Sequence, residues 1–316
     1  MSIINDAITA IETWFKGVLA GGIESSLNTV NSMLSGSLNN SNGTGINPLF
    51  GQFLGDPTTF TGSTSGSGTP IWNTIETLSN NVIVPIGGFV LMVVVIYELI
   101  QMVISGNNFK DLDDSIFIRW ILKTFCGILL VSNVFYIATG IFAFGTSAVN
   151  DGLSALFGSS AAFIDTNLIN SSSFHSTLMA QDIGTLIVTL IISFVIIIVT
   201  FVLLAAIIIV LASRIIEVFM YLSISPIPMA TFMNKDWGDI GKNWLRNILA
   251  LAFQGFFIIV ALAIFKSLFA NALTTMMSGQ TGDVVMTMAI LLGFIVAFIF
   301  TMFRTANISK SSFAAH

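Results

Sequence analysis

A chain of 316 residues that is 54% apolar and only 9% charged cannot hide its hydrophobic surface in a water-soluble fold, since soluble domains carry about 25% charged residues. With a mean hydropathy of +0.91, the composition belongs to the membrane class. The net charge of −5, from 11 cationic and 16 anionic side chains, provides neither a basic tail for nucleic acid nor an acidic block.

The N-terminal region, residues 1–80, contains no secretory signal: its first fifteen residues lack Lys and Arg, and Lys16 is followed by no long apolar core. Ile4, Ala7, Ile8, Ile11, Phe15, Val18 and Leu19 recur at helical spacing, which predicts an amphipathic helix lying on a partner or in the membrane interface, or packed in the ordinary way. The Gly-, Ser-, Thr- and Asn-rich stretch Ser37–Pro70 reads as loop.

A membrane-spanning helix needs about 20 apolar residues. Five stretches qualify: Val82–Ile104, Ile121–Phe144, Ile183–Ala212, Leu245–Phe269 and Val284–Phe303. Lys and Arg in the flanking loops set their orientation. Lys110, Arg119 and Lys123 follow the first span, and Arg214, Lys235, Lys242 and Arg246 follow the third. Arg304 and Lys310 follow the fifth, whereas Gly145–Asp182 has no cation. The expectation is an all-α membrane protein of about five transmembrane helices, with the N-terminus outside and the C-terminus in the cytoplasm. Residues 1–80 form its extracytoplasmic region and 81–304 its polytopic membrane domain. That domain has an outward loop at 145–182 and a cytoplasmic loop at 213–246, and 305–316 form a cytoplasmic tail.

Ile215–Met233 is apolar enough for a sixth crossing. Pro226 and Pro228 interrupt it, because each removes a backbone donor and disfavours helix before it. A re-entrant or interfacial segment on the cytoplasmic side keeps the charge bias; a true crossing reverses it. Beyond the bend, Trp237, Ile240, Trp244 and Ile248 share one helical face, and Lys242 and Arg246 share another. With Lys235 they read as a cytoplasmic platform, its tryptophans at headgroup depth and its cations directed to lipid phosphate, a protein partner or DNA.

No catalytic, metal or cofactor signature is present. His175 and His316 have no Cys or carboxylate cluster between them, and the phosphate-cradling GxxxxGK[ST] loop and the GxSxG turn are absent. Cys126 has no disulfide partner and reads as an inert buried thiol. Inside the spans, Glu98 and Lys123 are expected to pair between neighbouring helices, while Lys266 snorkels outward. Ala289, Gly293 and Ala297 recur every fourth residue, a stripe that allows close packing within the chain or between copies.

The order of a long apolar span, the bend "SPIP" at Ser225–Pro228, the polar turn "KDWGDIGKNWLRN" at Lys235–Asn247 and "ILALAFQGFF" at Ile248–Phe257 resembles the TrbL family. These are polytopic channel subunits of type IV secretion and conjugation systems, and the likeness is greatest to those of Gram-positive conjugative elements. The resemblance implies a non-enzymatic subunit, in several copies, in the cytoplasmic membrane. It implies a secretion ATPase, a DNA-coupling ATPase and small bitopic membrane subunits as partners. It further implies a part in moving single-stranded DNA with its relaxase, with transient contact to the strand. The Ser37–Pro70 stretch departs from the family pattern. The alternative is a self-contained transporter or channel for a small solute, for which the spans lack a cluster of midplane polar groups and visible inverted repeats.

The loop charges predict a labelling pattern. In a Cys126→Ser background, Ser65→Cys and Ser159→Cys react with a membrane-impermeant thiol reagent in intact cells, and Lys110→Cys, Asn234→Cys and Lys310→Cys do not. Labelling at position 234 with none at 159 contradicts the five-span layout.

Overall fold

The computed structural model describes residues 2–38, 48–61, 70–105, 114–157, 169–277 and 283–315, and every regular element among them is a helix. The chain divides into two units. The first takes Met1–Gly51, Gly152–Val210 and Ile258–Arg304, and the second takes Gln52–Asp151, Leu211–Phe257 and Thr305–His316.

In the first unit, α1 (Ser2–Leu38) runs past Ser37, where the composition predicts loop. Only its C-terminal half is packed: Leu19, Ala20, Ile23, Leu27, Val30 and Leu34 are buried, whereas Ile4, Ile8, Ile11, Trp14, Phe15 and Val18 are exposed. Ala7 is exposed as well, so of the expected apolar face Leu19 alone is covered. A short helix, α7 (Ser172–Met179), is capped by Ser171, whose Oγ accepts from Phe174 N. It is tied to α1 by Glu24 and His175, 2.8 Å apart, and by Asn28 Nδ2 donating to Asn170 Oδ1 at 2.9 Å. The first part of α8 (Ile183–Ser223) belongs here, as do the second part of α10 (Gly238–Met277) and most of α11 (Val284–Ser312). Phe265 and Phe298 stack 4.4 Å apart.

The second unit takes the end of α2 (Pro48–Leu54) and a 3₁₀ turn at Pro57–Thr59, and both elements lie within the predicted loop. Next come α3 (Ile71–Leu78), a π-turn at Ser79–Ile83 and α4 (Val84–Ser105). These form one helical run, Ile71–Ile104, starting eleven residues before the predicted span. Pro85 accounts for the widened turn: it lacks the N–H that Asn81 would bond, and its ring crowds that carbonyl.

The second predicted span, Ile121–Phe144, is not a straight helix. It divides into α5 (Asp114–Ser132) and α6 (Val134–Phe157), bent by 67° at Asn133. The Asn133 amide donates to Leu129 O at 2.9 Å, competing for a carbonyl the helix itself uses. Among the described residues, four helical runs are therefore long and apolar enough to cross a membrane, and a fifth only if the bent pair counts as one span.

The third predicted span continues beyond Ala212. Nothing in "SRIIEVFMYLS" (213–223) breaks a helix, so α8 has 41 residues and is about 60 Å long. Arg214, expected in a loop, instead lies inside α8, only 2% exposed. All its acceptors are main-chain carbonyls. Nε donates to Leu251 O at 2.9 Å, Nη1 to Phe53 O at 2.7 Å and Leu54 O at 3.5 Å, and Nη2 to Ala252 O at 3.5 Å. Phe53 and Leu54 end α2, where carbonyls lack intrahelical partners and the helix dipole is negative. The α11 helix likewise runs on through Arg304. Lys310 lies 3.2 Å from Glu217, and Ser309 Oγ donates to Ala250 O.

Removing the guanidinium strands these carbonyls. Arg214→Met is expected to cost on the order of 3 kcal/mol, read as a lower unfolding midpoint in detergent. Arg214→Lys, which keeps the charge but not the fork, should fall between. An unchanged midpoint for Arg214→Met would show that this clasp holds nothing together.

Candidate functional site

The site is built where α8 ends. Ser225 Oγ donates back to Leu222 O at 2.7 Å, closing the helix. The chain turns into α9 (Pro226–Thr231), a single short helix with Pro226 in its first turn, where a missing N–H costs nothing. Pro226, Pro228, Met229, Ala230 and Thr231 are buried, and α9 packs against α4 and α5. Of the predicted re-entrant stretch, Ile215–Ser223 therefore continues α8, and the helix is interrupted only at Ile224–Ser225, before α9.

Glycines allow this seating. A Cβ at Gly87 would lie 2.9 Å from both Cβ and O of Pro226, and one at Gly241 would lie 2.7 Å from Pro228 O and 2.9 Å from Phe232 Cα. Two helices thus close on α9 at glycine positions, leaving no room for a methyl group.

The following turn is shaped by Asn234. Its Oδ1 accepts from Asp236 N at 2.8 Å and from Trp237 N at 2.9 Å, an Asx turn leading into α10. Asp239, in the first turn of α10, complements the positive helix end. The Trp237 ring lies parallel to Tyr97 at 5.1 Å, and Gln101 Nε2 donates to both Tyr97 Oη and Asp236 Oδ2 at 2.9 Å. This lattice pins the turn to α4.

The predicted platform face divides. Trp244, read as interfacial, is buried at 3% exposure, and Ile248 is fully buried. The Trp244 Nε1 donates to Tyr221 O at 3.0 Å, so the indole joins α10 to α8 from inside the core. Trp237 and Ile240 remain exposed. In the first turn of α10 the side that carries Gly238 and Gly241 closes on α9 and Phe232, so Ile240 on the other side stays outside the core that Trp244 and Ile248 enter. The cations Lys235, Lys242 and Arg246 are exposed, with Lys242 3.2 Å from Asp239. Asn234 is only 3% exposed, so Lys235 is the better position for a labelling cysteine.

Glu98 and Lys123 lie 3.3 Å apart, beside Trp120, whose Nε1 donates to Val95 O at 3.2 Å. Ala289, Gly293 and Ala297 are exposed, and a Cβ at Gly293 would meet nothing within 4 Å. The face of α11 that carries this stripe is thus exposed. Sequence reasoning missed Glu217, Tyr97 and Gln101, whose roles arise from partners distant along the chain. Among the described residues no group of three His, Cys, Asp or Glu side chains could hold a metal ion. Ser65, Lys110 and Ser159 lie outside the described residues.

The sequence model of the family described as "TrbL/VirB6 plasmid conjugal transfer like protein" matches residues 59–226, more than half of the chain, from the 3₁₀ turn to the first residue of α9. It overlaps the sequence motif at 213–257 only as far as Pro226. Searches of curated proteins and of solved structures gave no match.

The glycine contacts generate a graded expectation. Gly87→Ala and Gly241→Ala should each destabilise the protein by about 1–3 kcal/mol, because backbone must move, whereas Gly293→Ala should leave the unfolding midpoint within error or raise it slightly. Equal midpoints for all three would mean that α9 is not held between α4 and α10.

Proposed function

The chain belongs to the TrbL/VirB6 plasmid conjugal transfer like family, and from that premise we propose that it is a channel or platform subunit of a conjugative type IV secretion system. The family consists of structural membrane subunits of transfer systems, which work in association with other subunits. On this reading several copies sit in the cytoplasmic membrane of a donor cell, N-terminus outside and C-terminus inside, and help single-stranded DNA and its attached relaxase across. A secretion ATPase and a DNA-coupling ATPase supply the energy, and small bitopic subunits complete the pore. The family match carries this reading.

The exposed cations of the turn are its working surface. Lys235, Lys242 and Arg246 face the cytoplasm on this reading, where a docking ATPase or an approaching strand meets them, and Trp237 fixes their height through Tyr97. The uncovered stripe at Ala289, Gly293 and Ala297 serves contact between copies, since small side chains let helices approach closely.

The double reversal Lys242→Glu with Arg246→Glu tests the surface. It places one new carboxylate beside Asp239 and turns attraction into repulsion. Transfer frequency should fall by about 100-fold or more while membrane abundance stays normal. If the cations only anchor the loop to anionic lipid, abundance falls and transfer falls in proportion. Wild-type transfer at normal abundance removes this turn from the mechanism.

A further inference from the structure

The long helix α1 changes its apolar side along its length. In its C-terminal part Leu19, Ile23, Leu27, Val30 and Leu34 are buried. In its N-terminal part Ile4, Ile8, Ile11, Phe15 and Val18 are exposed. With 3.6 residues per turn, the two stripes lie about 100° apart around the helix. The surface that covers the first stripe therefore does not face the second. Flanking the open stripe are Ile3, 80% exposed, and Trp14, 68% exposed. Beside them stand Gly17 and Gly21, where an added Cβ would meet nothing within 4 Å. A contiguous open patch of this kind marks a contact surface.

Charge and spacing identify what covers it. Among the described residues, α1 is not one of the runs long and apolar enough to cross a membrane. The polar side of residues 3–18 carries Asp6 and Glu12 against the single cation Lys16, and Lys16 lies 3.1 Å from Glu12. Helices that rest on anionic bilayers are instead rich in Lys and Arg on that side. The open apolar residues follow one another at intervals of 4, 3, 4 and 3. That is the heptad seam of a coiled coil, with Ile8 and Phe15 at a and Ile4, Ile11 and Val18 at d. Ile at both a and d favours more than two strands. In such a bundle each helix meets two neighbours, so Ile3 and Trp14 on the flank are buried as well. The packed C-terminal part already holds the helix formed, which removes the cost of nucleating it. Copies arranged as a ring in one membrane point the same way, so each seam residue meets its own equivalent. We propose that the N-terminal parts of α1 from three or more copies of this chain pack as a parallel bundle along the Ile4–Val18 seam. The inference rests on the reading that several copies assemble, and it names a segment that joins them.

Disulfide crosslinking of the full-length protein in membranes tests the seam. In a Cys126→Ser background, Ile11→Cys and Thr13→Cys are oxidised separately, with Gly293→Cys as a reference on α11. Ile11→Cys should form linked pairs about tenfold more than Thr13→Cys, which lies on the opposite side of α1. Adding Ile8→Asp should cut crosslinking at position 11 about tenfold, and adding Ile8→Leu should preserve it. Ile8 is exposed within one chain, so membrane abundance should stay normal in both. Equal crosslinking at positions 11 and 13 overturns the proposal, as does crosslinking at 11 that Ile8→Asp leaves intact. Crosslinking at 293 with none at 11 overturns the bundle and leaves the assembly of several copies standing, whereas none at either position removes both. A nitroxide at position 11 that collides freely with membrane-dissolved oxygen, with no spin–spin broadening, would assign the face to the bilayer surface and overturn the bundle.

Discussion

A guanidinium in a low-dielectric interior has to be answered where it stands, because removing a charge from water costs far more than a helix can tolerate unpaired. Arg214 is answered by carbonyls from two other helices, α2 and α10. Those bonds fix the rotation of α8 and give α2, only seven residues long, a reason to be ordered. Close packing surrounds the clasp. A Cβ on Gly255 would lie 3.0 Å from Val149 and 3.5 Å from the guanidinium carbon, and one on Gly145 would lie 2.7 Å from Ala252 O. The approach of α6 to α10 thus shares its glycine surface with the arginine.

The hinge at Pro226 depends on that frame. With α8 fixed, Trp244 reaches Tyr221 O, and α10 sets out beside it with α9 between α10 and α4. Each contact compensates for something the prolines remove. Ser225, Thr231 and Asn234 return side-chain hydrogen bonds to the backbone, so a broken helix survives among apolar neighbours without stranded polar groups. The result is a turn whose interior, with Pro226, Pro228 and Asn234, is buried and whose outside carries the exposed cations Lys235, Lys242 and Arg246.

Much of this was readable from residue order. Apolar length marked four of the five expected spans, Pro226 marked where α8 stops within three residues, and the charges of Glu98 and Lys123 suggested partners that the fold places 3.3 Å apart. What was not readable came from local competition or from distant partners. Asn133 does not look like a break until its amide takes the Leu129 carbonyl. Arg214 counted as a loop cation because periodicity cannot tell a charge facing water from one facing carbonyls of helices about 40 and about 160 residues away. Trp244 looked interfacial because Trp generally is, but here the indole N–H found a core carbonyl.

The length of α8 has a mechanical side. From Ser223 to Arg214 is nine residues, and from Arg214 to Ile183 is thirty-one, or about 14 Å and about 46 Å of rod. The nine residues of helix between Ser223 and Arg214 hold the arginine at a set distance from the proline turn, so the clasp on Arg214 also sets where α9 can begin.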